Sequence, residues 1–128
     1  MVTDITEGIK VTVETDYQPE YSNPGQSHFV FSYRITIENQ GNIPIQLMSR
    51  HWEIIDATYP FRQVDGEGVV GKQPKINPGQ LHQYVSGCNL RSGFGKMYGH
   101  YGMTKLNCGT HVDVNIPEFV MIVPYFLN

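Results

Sequence analysis

The chain has 128 residues, 40% of them hydrophobic and 16% charged, with a net charge of −3. That length suits one domain with a core of its own, and the weak negative charge excludes the electrostatic footprint of a nucleic-acid binder. No apolar run approaches the ~18 residues of a membrane span and no basic-then-apolar leader opens the chain, so a soluble, cytoplasmic, single domain over 1–128 is expected.

Aromatic residues make up 12% of the chain, Gly and Pro are frequent, and Ala57 is the only alanine. Such a composition suits pleated strands joined by tight turns. The apolar pattern has period 2 almost throughout. In chain order, a first strand is expected around 11–17, then an Asn23-Pro24-Gly25 turn. A clean second strand follows at 29–38, with Phe29, Phe31, Tyr33, Ile35 and Ile37 on one face. After a loop at 39–44 comes a third strand at 45–56, whose phase changes midway. Ile45 and Leu47 share one parity, Trp52 and Ile54 the other. A one-residue bulge near 48–50 would put both pairs in the core; a strand covered on both faces is the alternative. A turn at 57–60 leads to a short strand at 61–65, then a glycine-rich stretch at 66–79. Strands at 81–86 and about 94–103 follow. The last begins near Thr110, is interrupted by Pro117 and resumes at 119–123; a proline there implies an edge or a bulge. Beyond it, Pro124-Tyr125-Phe126-Leu127 is an apolar tail that packs down or meets a partner.

Seven short strands with turn signals between them predict an all-β, antiparallel β-sandwich, immunoglobulin-like or fibronectin type III-like. On that arrangement one sheet holds 11–17, 29–38 and 81–86. The other holds 61–65, 45–56, 94–103 and the last strand, in that order.

Five blocks say more than the periodicity. They are Ser49-Arg50-His51-Trp52, the run from Gly66 through Gly71-Lys72 to Pro74, Pro78-Gly79, Tyr84-Val85-Ser86-Gly87, and the run from Gly95 to Met103. With Ile116-Pro117-Glu118-Phe119 they resemble the bacterial ApaG family, in order and over nearly the whole chain. The resemblance implies a fibronectin-type-III-like sandwich. It implies a family encoded beside a diadenosine tetraphosphate hydrolase and associated with cobalt resistance and magnesium efflux. Related domains occur in eukaryotic F-box proteins and in a polymerase-interacting protein, which points to a binding module rather than to a reaction.

Gly66-x-Gly68-x-x-Gly71 matches the dinucleotide fingerprint as text. That fingerprint needs a helix after its turn, and Gln73-Pro74 with Pro78-Gly79 forbids one. Two readings remain. The glycines let the chain turn tightly over the end of the core, or the backbone N–H groups of Gly66, Gly68 and Gly71 with the Lys72 ammonium cradle an anion.

The five histidines show no local metal-binding spacing. If Trp52, Met97 and Val112 face inward, then His51, Glu53, Tyr98, His100, His111 and Asp113 share one outer sheet face. They form a candidate interaction face, or a candidate cation site if their registers converge. No Ser-His-Asp or Cys-His pattern supports catalysis, and no cofactor or metal is assigned. Cys88 and Cys108 fall at opposite ends of a ten-residue strand spanning roughly 34 Å. Two free thiols are expected.

The expected function is a non-enzymatic binding module with an unidentified protein partner and no nucleic-acid or membrane partner. Its surface would be this face or the pole formed by the loops at 39–44, 66–79 and 104–110. The first or last strand could pair across a homodimer. The alternative is a sensor of phosphate, nucleotide or a divalent cation.

Overall fold

The computed structural model describes residues 1–127. Among the described residues there are nine strands: β1 Val2–Thr6, β2 Ile9–Tyr17, β3 Phe29–Asn39, β4 Ile45–Asp56, β5 Arg62–Glu67, β6 Lys75–Ile76, β7 Leu81–Leu90, β8 Phe94–Lys105 and β9 His111–Ile122. They form two antiparallel sheets, ordered β1-β2-β3-β7 and β5-β4-β8-β9, with the two-residue β6 added to β4 beyond β5. The helical elements among the described residues are three single 3₁₀ turns, each with proline at its first position. No helix there is long and apolar enough to cross a membrane.

The expected sheet order is therefore observed, with two additions. β1 pairs with β2 through a two-residue turn, Glu7-Gly8, both at positive φ (47° and 80°). Turns of that kind match the twist of the strands they join. As a consequence β2 lies between β1 and β3 and is no edge strand. A dimer could not pair through it.

The alternating faces of β2, β3, β4, β8 and β9 meet in one core, where Val11, Ile35, Leu47, Tyr101, Val114 and Met121 lose all contact with solvent. The phase change in β4 is a bulge: the β4–β8 register slips between Leu47 and Ser49. Leu47 and Trp52 both reach the core because of it. A second slip lies between β8 and β9, where Met97 faces Phe119 but Gly99 faces Ile116. Pro117 and Glu118 thus oppose Tyr98 alone, and the parity of β9 reverses. Pro117 sits in a bulge and on the edge strand of its sheet at once.

The two lateral sides of the sandwich differ. On one, β1 lies against β9: the Asn115 side-chain amide donates to Asp4, and its backbone N–H donates to Thr6 Oγ1 at 3.1 Å. On the other, β5 and β7 stand apart, bridged by Arg62, which donates to the Asn89 carbonyl at 2.5 Å. At the chain's end Tyr125 meets Tyr17 edge-on, ring centroids 6.5 Å apart. The side chains of Phe126 and Leu127 lie outside the described residues.

Candidate functional site

With Trp52, Met97 and Val112 buried, strand alternation sends their neighbours to the outer face of the five-stranded sheet. His51 stands opposite His100 in the β4–β8 register, and Glu53 stands opposite Tyr98. The two imidazoles stack, centroids 5.2 Å apart and planes 28° from parallel. His51 Nδ1 meets Asp65 Oδ1 at 2.5 Å, and its Nε2 meets Glu53 Oε2 at 3.2 Å. Gln63 donates to the other Glu53 oxygen at 3.0 Å. The hydrogen bond that His51 donates to Asp65 raises the His51 pKa above its ordinary value, burial opposes this, and the charges of Asp65 and Glu53 add to the rise.

His111 and Asp113 lie on the same face, one strand further. His111 Nε2 meets Asp113 Oδ1 at 2.6 Å. Gly102 makes room for them: a Cβ there would overlap the Ser49 hydroxyl and come within 3.0 Å of the His111 ring. All six residues of the expected face are thus brought to one surface, in two groups. They do not converge on an ion. Both ring nitrogens of His51 already face carboxylates, and no three His, Cys, Asp or Glu side chains among the described residues are arranged as a metal site.

At the glycine-rich turn, each glycine has its own reason. Gly66 lies against the Arg50 guanidinium, which would stand 2.7 Å from a Cβ. Gly68 is at φ 62° with its missing side chain directed at the Lys72 carbonyl, and Gly71 is at φ 75° in an open turn. The N–H groups here are largely committed. Gly68 donates to Met48, while Val69 and Lys72 exchange hydrogen bonds of 2.8 and 3.0 Å across the Val70-Gly71 tip. Arg50 donates to the carbonyls of Glu67 and Gly68 at 3.0 and 2.8 Å. Val69 is buried and plugs the end of the core. The Gly68 N–H is thus taken by β4 and those of Val69 and Lys72 by each other, with the Lys72 side chain at the exposed rim.

Between the sheets lies a polar cluster that sequence reasoning missed. The hydroxyls of Tyr84 and Tyr101 hydrogen-bond to each other, and Tyr33 stands beside Ser86. Burial holds all three phenols above the ordinary tyrosine range, with Arg50 opposing. Arg50 shares the parity of Trp52 and Ile54, so its inward direction was readable once those two were placed inside. The outer face also holds more than expected. Phe94 and Val120 are exposed on it beside Tyr98 (47%, 49% and 37%), on adjacent strands β8 and β9. Val120 escapes an alternation reading because the Pro117 bulge turns it outward. Cys88 and Cys108 are both free, as expected, the first buried and the second exposed.

This molecule resembles others closely. The family described as ApaG domain matches residues 19–105. A protein from Anaeromyxobacter dehalogenans named Protein ApaG is 45% identical over the full length of both chains. One of the same name from Pseudomonas aeruginosa is 46% identical over 99% of this chain and all of its own. A crystal structure of a Bordetella pertussis protein described as ApaA superposes with a TM-score of 0.87 at 40% identity, covering 95% of each chain. Likeness at that level over full lengths, in sequence and in fold, leaves one assignment: the chain belongs to the ApaG family.

Proposed function

We propose that this ApaG-family chain is a non-catalytic protein-binding module working in the cytoplasm. Its working surface is the outer face of the β5-β4-β8-β9 sheet. The observation that carries the reading is the exposure of Phe94, Tyr98 and Val120 on adjacent strands of that one face. Lys96, between Phe94 and Tyr98 on β8, is turned aside to Glu118 at 3.1 Å. An aromatic centre with a charged rim is the composition of a protein interface. The rim is ordered: His51, Asp65 and Glu53 hold one another on one flank, and His111 with Asp113 forms the next pair. On this reading the link to cobalt and magnesium that the family resemblance implies runs through the partner, since no three His, Cys, Asp or Glu side chains among the described residues are arranged as a metal site.

Affinity capture from an extract of the source cell tests this. Wild type and an Arg34→Glu control on the opposite sheet should retain the same protein, and a Phe94→Glu/Tyr98→Glu variant should lose it. Retention by the double variant, or no protein retained by wild type, overturns the reading.

A further inference from the structure

At the open side of the sandwich, between β5 and β7, two arginines without an ion pair come together. They reach it from different strands. Arg50 points inward because the β4 bulge gives it the parity of Trp52. Arg62 stands opposite Ile54 on β5, two residues before Val64, which faces Trp52. Strand alternation directs Arg62, Val64 and Gly66 to the cleft and sends Gln63, Asp65 and Glu67 to the outer face. One strand therefore sorts its charges, cation to one side and carboxylates to the other.

The cleft has a volume of about 310 Å³, and its walls include Tyr33, Arg50, Trp52, Arg62, Ser86 and Cys88. No Asp or Glu lines it. Neither guanidinium has a carboxylate within 4 Å among the described residues, where the ion pairs involve His51, Lys96, Lys105 and His111. Arg50 satisfies part of its donor fork on two backbone carbonyls, and Arg62 donates to the Asn89 carbonyl and approaches Cys88 Sγ at 3.8 Å. Asp56, a carboxylate outside the lining whose charge reaches Cys88, is buried and already accepts from the backbone N–H groups of Arg91 and Ser92 and from the Ser92 hydroxyl. It does not neutralise the arginines by direct contact.

We propose that this cleft is an oxyanion site, taking a carboxylate or phosphate group between Arg62 and Arg50, with the Tyr33 hydroxyl, itself accepting from Ser86, as a further donor. Guanidinium groups suit planar or tetrahedral oxyanions because their N–H donors form a rigid fork. The volume fits a small ligand or a single acidic side chain. The site is distinct from the outer sheet face, and neither reading depends on the other.

The test is a titration of ¹⁵N-labelled protein at constant ionic strength, with inorganic pyrophosphate in one arm and citrate in the other. Saturable shifts at Arg62, Gly87 and Asn89 are expected in at least one arm. Arg62→Gln should weaken that binding about tenfold, the loss of one charge-assisted hydrogen bond, and Lys72→Gln should leave it unchanged. Amide dispersion reports whether each variant is folded. In a Cys108→Ser background, with Arg62 intact, the same anion should slow alkylation of Cys88 by iodoacetamide. Response to pyrophosphate alone identifies phosphate as the ligand group; response to citrate alone identifies carboxylate. No saturable shift in either arm up to about 10 mM, weaker than the usual range for specific sites, overturns the proposal. So do shifts centred on Val70 and Gly71 that vanish with Lys72→Gln.

Discussion

The Arg50 guanidinium occupies the space that a side chain at position 66 would need: a Cβ on Gly66 would lie 2.7 Å from it. The same guanidinium holds the carbonyls of Glu67 and Gly68. The Gly-rich text of this turn thus encodes a docking of β5 and its following turn onto one arginine. Gly66→Ala should cost about 1–2 kcal/mol, since a flexible side chain can withdraw but loses hydrogen bonds to charge. Gly68→Ala should cost about 3 kcal/mol, because the obstacle is the Lys72 backbone and φ is positive. Urea denaturation of the two variants checks the order.

Val70 is a β-branched residue at φ 48°, on an exposed turn tip. The left-handed region costs an L-residue of this shape about 1–2 kcal/mol, and asparagine tolerates it better. Val70→Asn should therefore raise stability by about 1 kcal/mol and the melting temperature by about 4 °C. Calorimetry reads both.

The Tyr84–Tyr101 hydroxyl pair predicts a non-additive cycle. Tyr101 is fully buried, so Tyr84→Phe strands its hydroxyl and should cost about 1–3 kcal/mol. Tyr101→Phe should do the same to Tyr84. The double variant should cost less than the sum, because it removes both polar groups together. Equilibrium unfolding of the three variants measures the coupling.

Two histidines titrate with opposite signs. The His51 pKa is raised, first by its hydrogen bond to Asp65. Its contribution is fully present below the unfolded value of about 6.5 and is lost as pH rises through the folded value. The His82 pKa is lowered, first by burial and then by Lys72. Its contribution is present above about 6.5 and is lost as pH falls through the folded value. Asp65→Asn should lower the His51 pKa and leave His82 where it is. Imidazole resonances followed by NMR across the pH range show both.

Much of this architecture was legible because inward residues alternate so cleanly. β4 is legible over its full length, and the parity conflict between Leu47 and Trp52 allows a bulge or a doubly covered strand, of which the structure has the bulge. β1 is not legible in the sequence, since Asp4 shares the parity of Val2 and Glu7-Gly8 is not a familiar turn dipeptide. The six expected face residues do share a surface, yet their partners Asp65 and Gln63 depend on the β4–β5 register, which the turn at 57–61 sets. Val120 was hidden because its direction depends on the size of the bulge at Pro117. Arg50 was hidden only by its charge; the pattern already pointed it inward.

Photo-crosslinking tests most directly whether the outer face of the five-stranded sheet meets a protein partner. A benzoylphenylalanine is placed at position 98, at position 120, or at position 34 on the opposite sheet, and each variant is irradiated in the source cell. One shared adduct from positions 98 and 120, and none from position 34, is expected. An adduct from position 34 alone, or from no position, would contradict it.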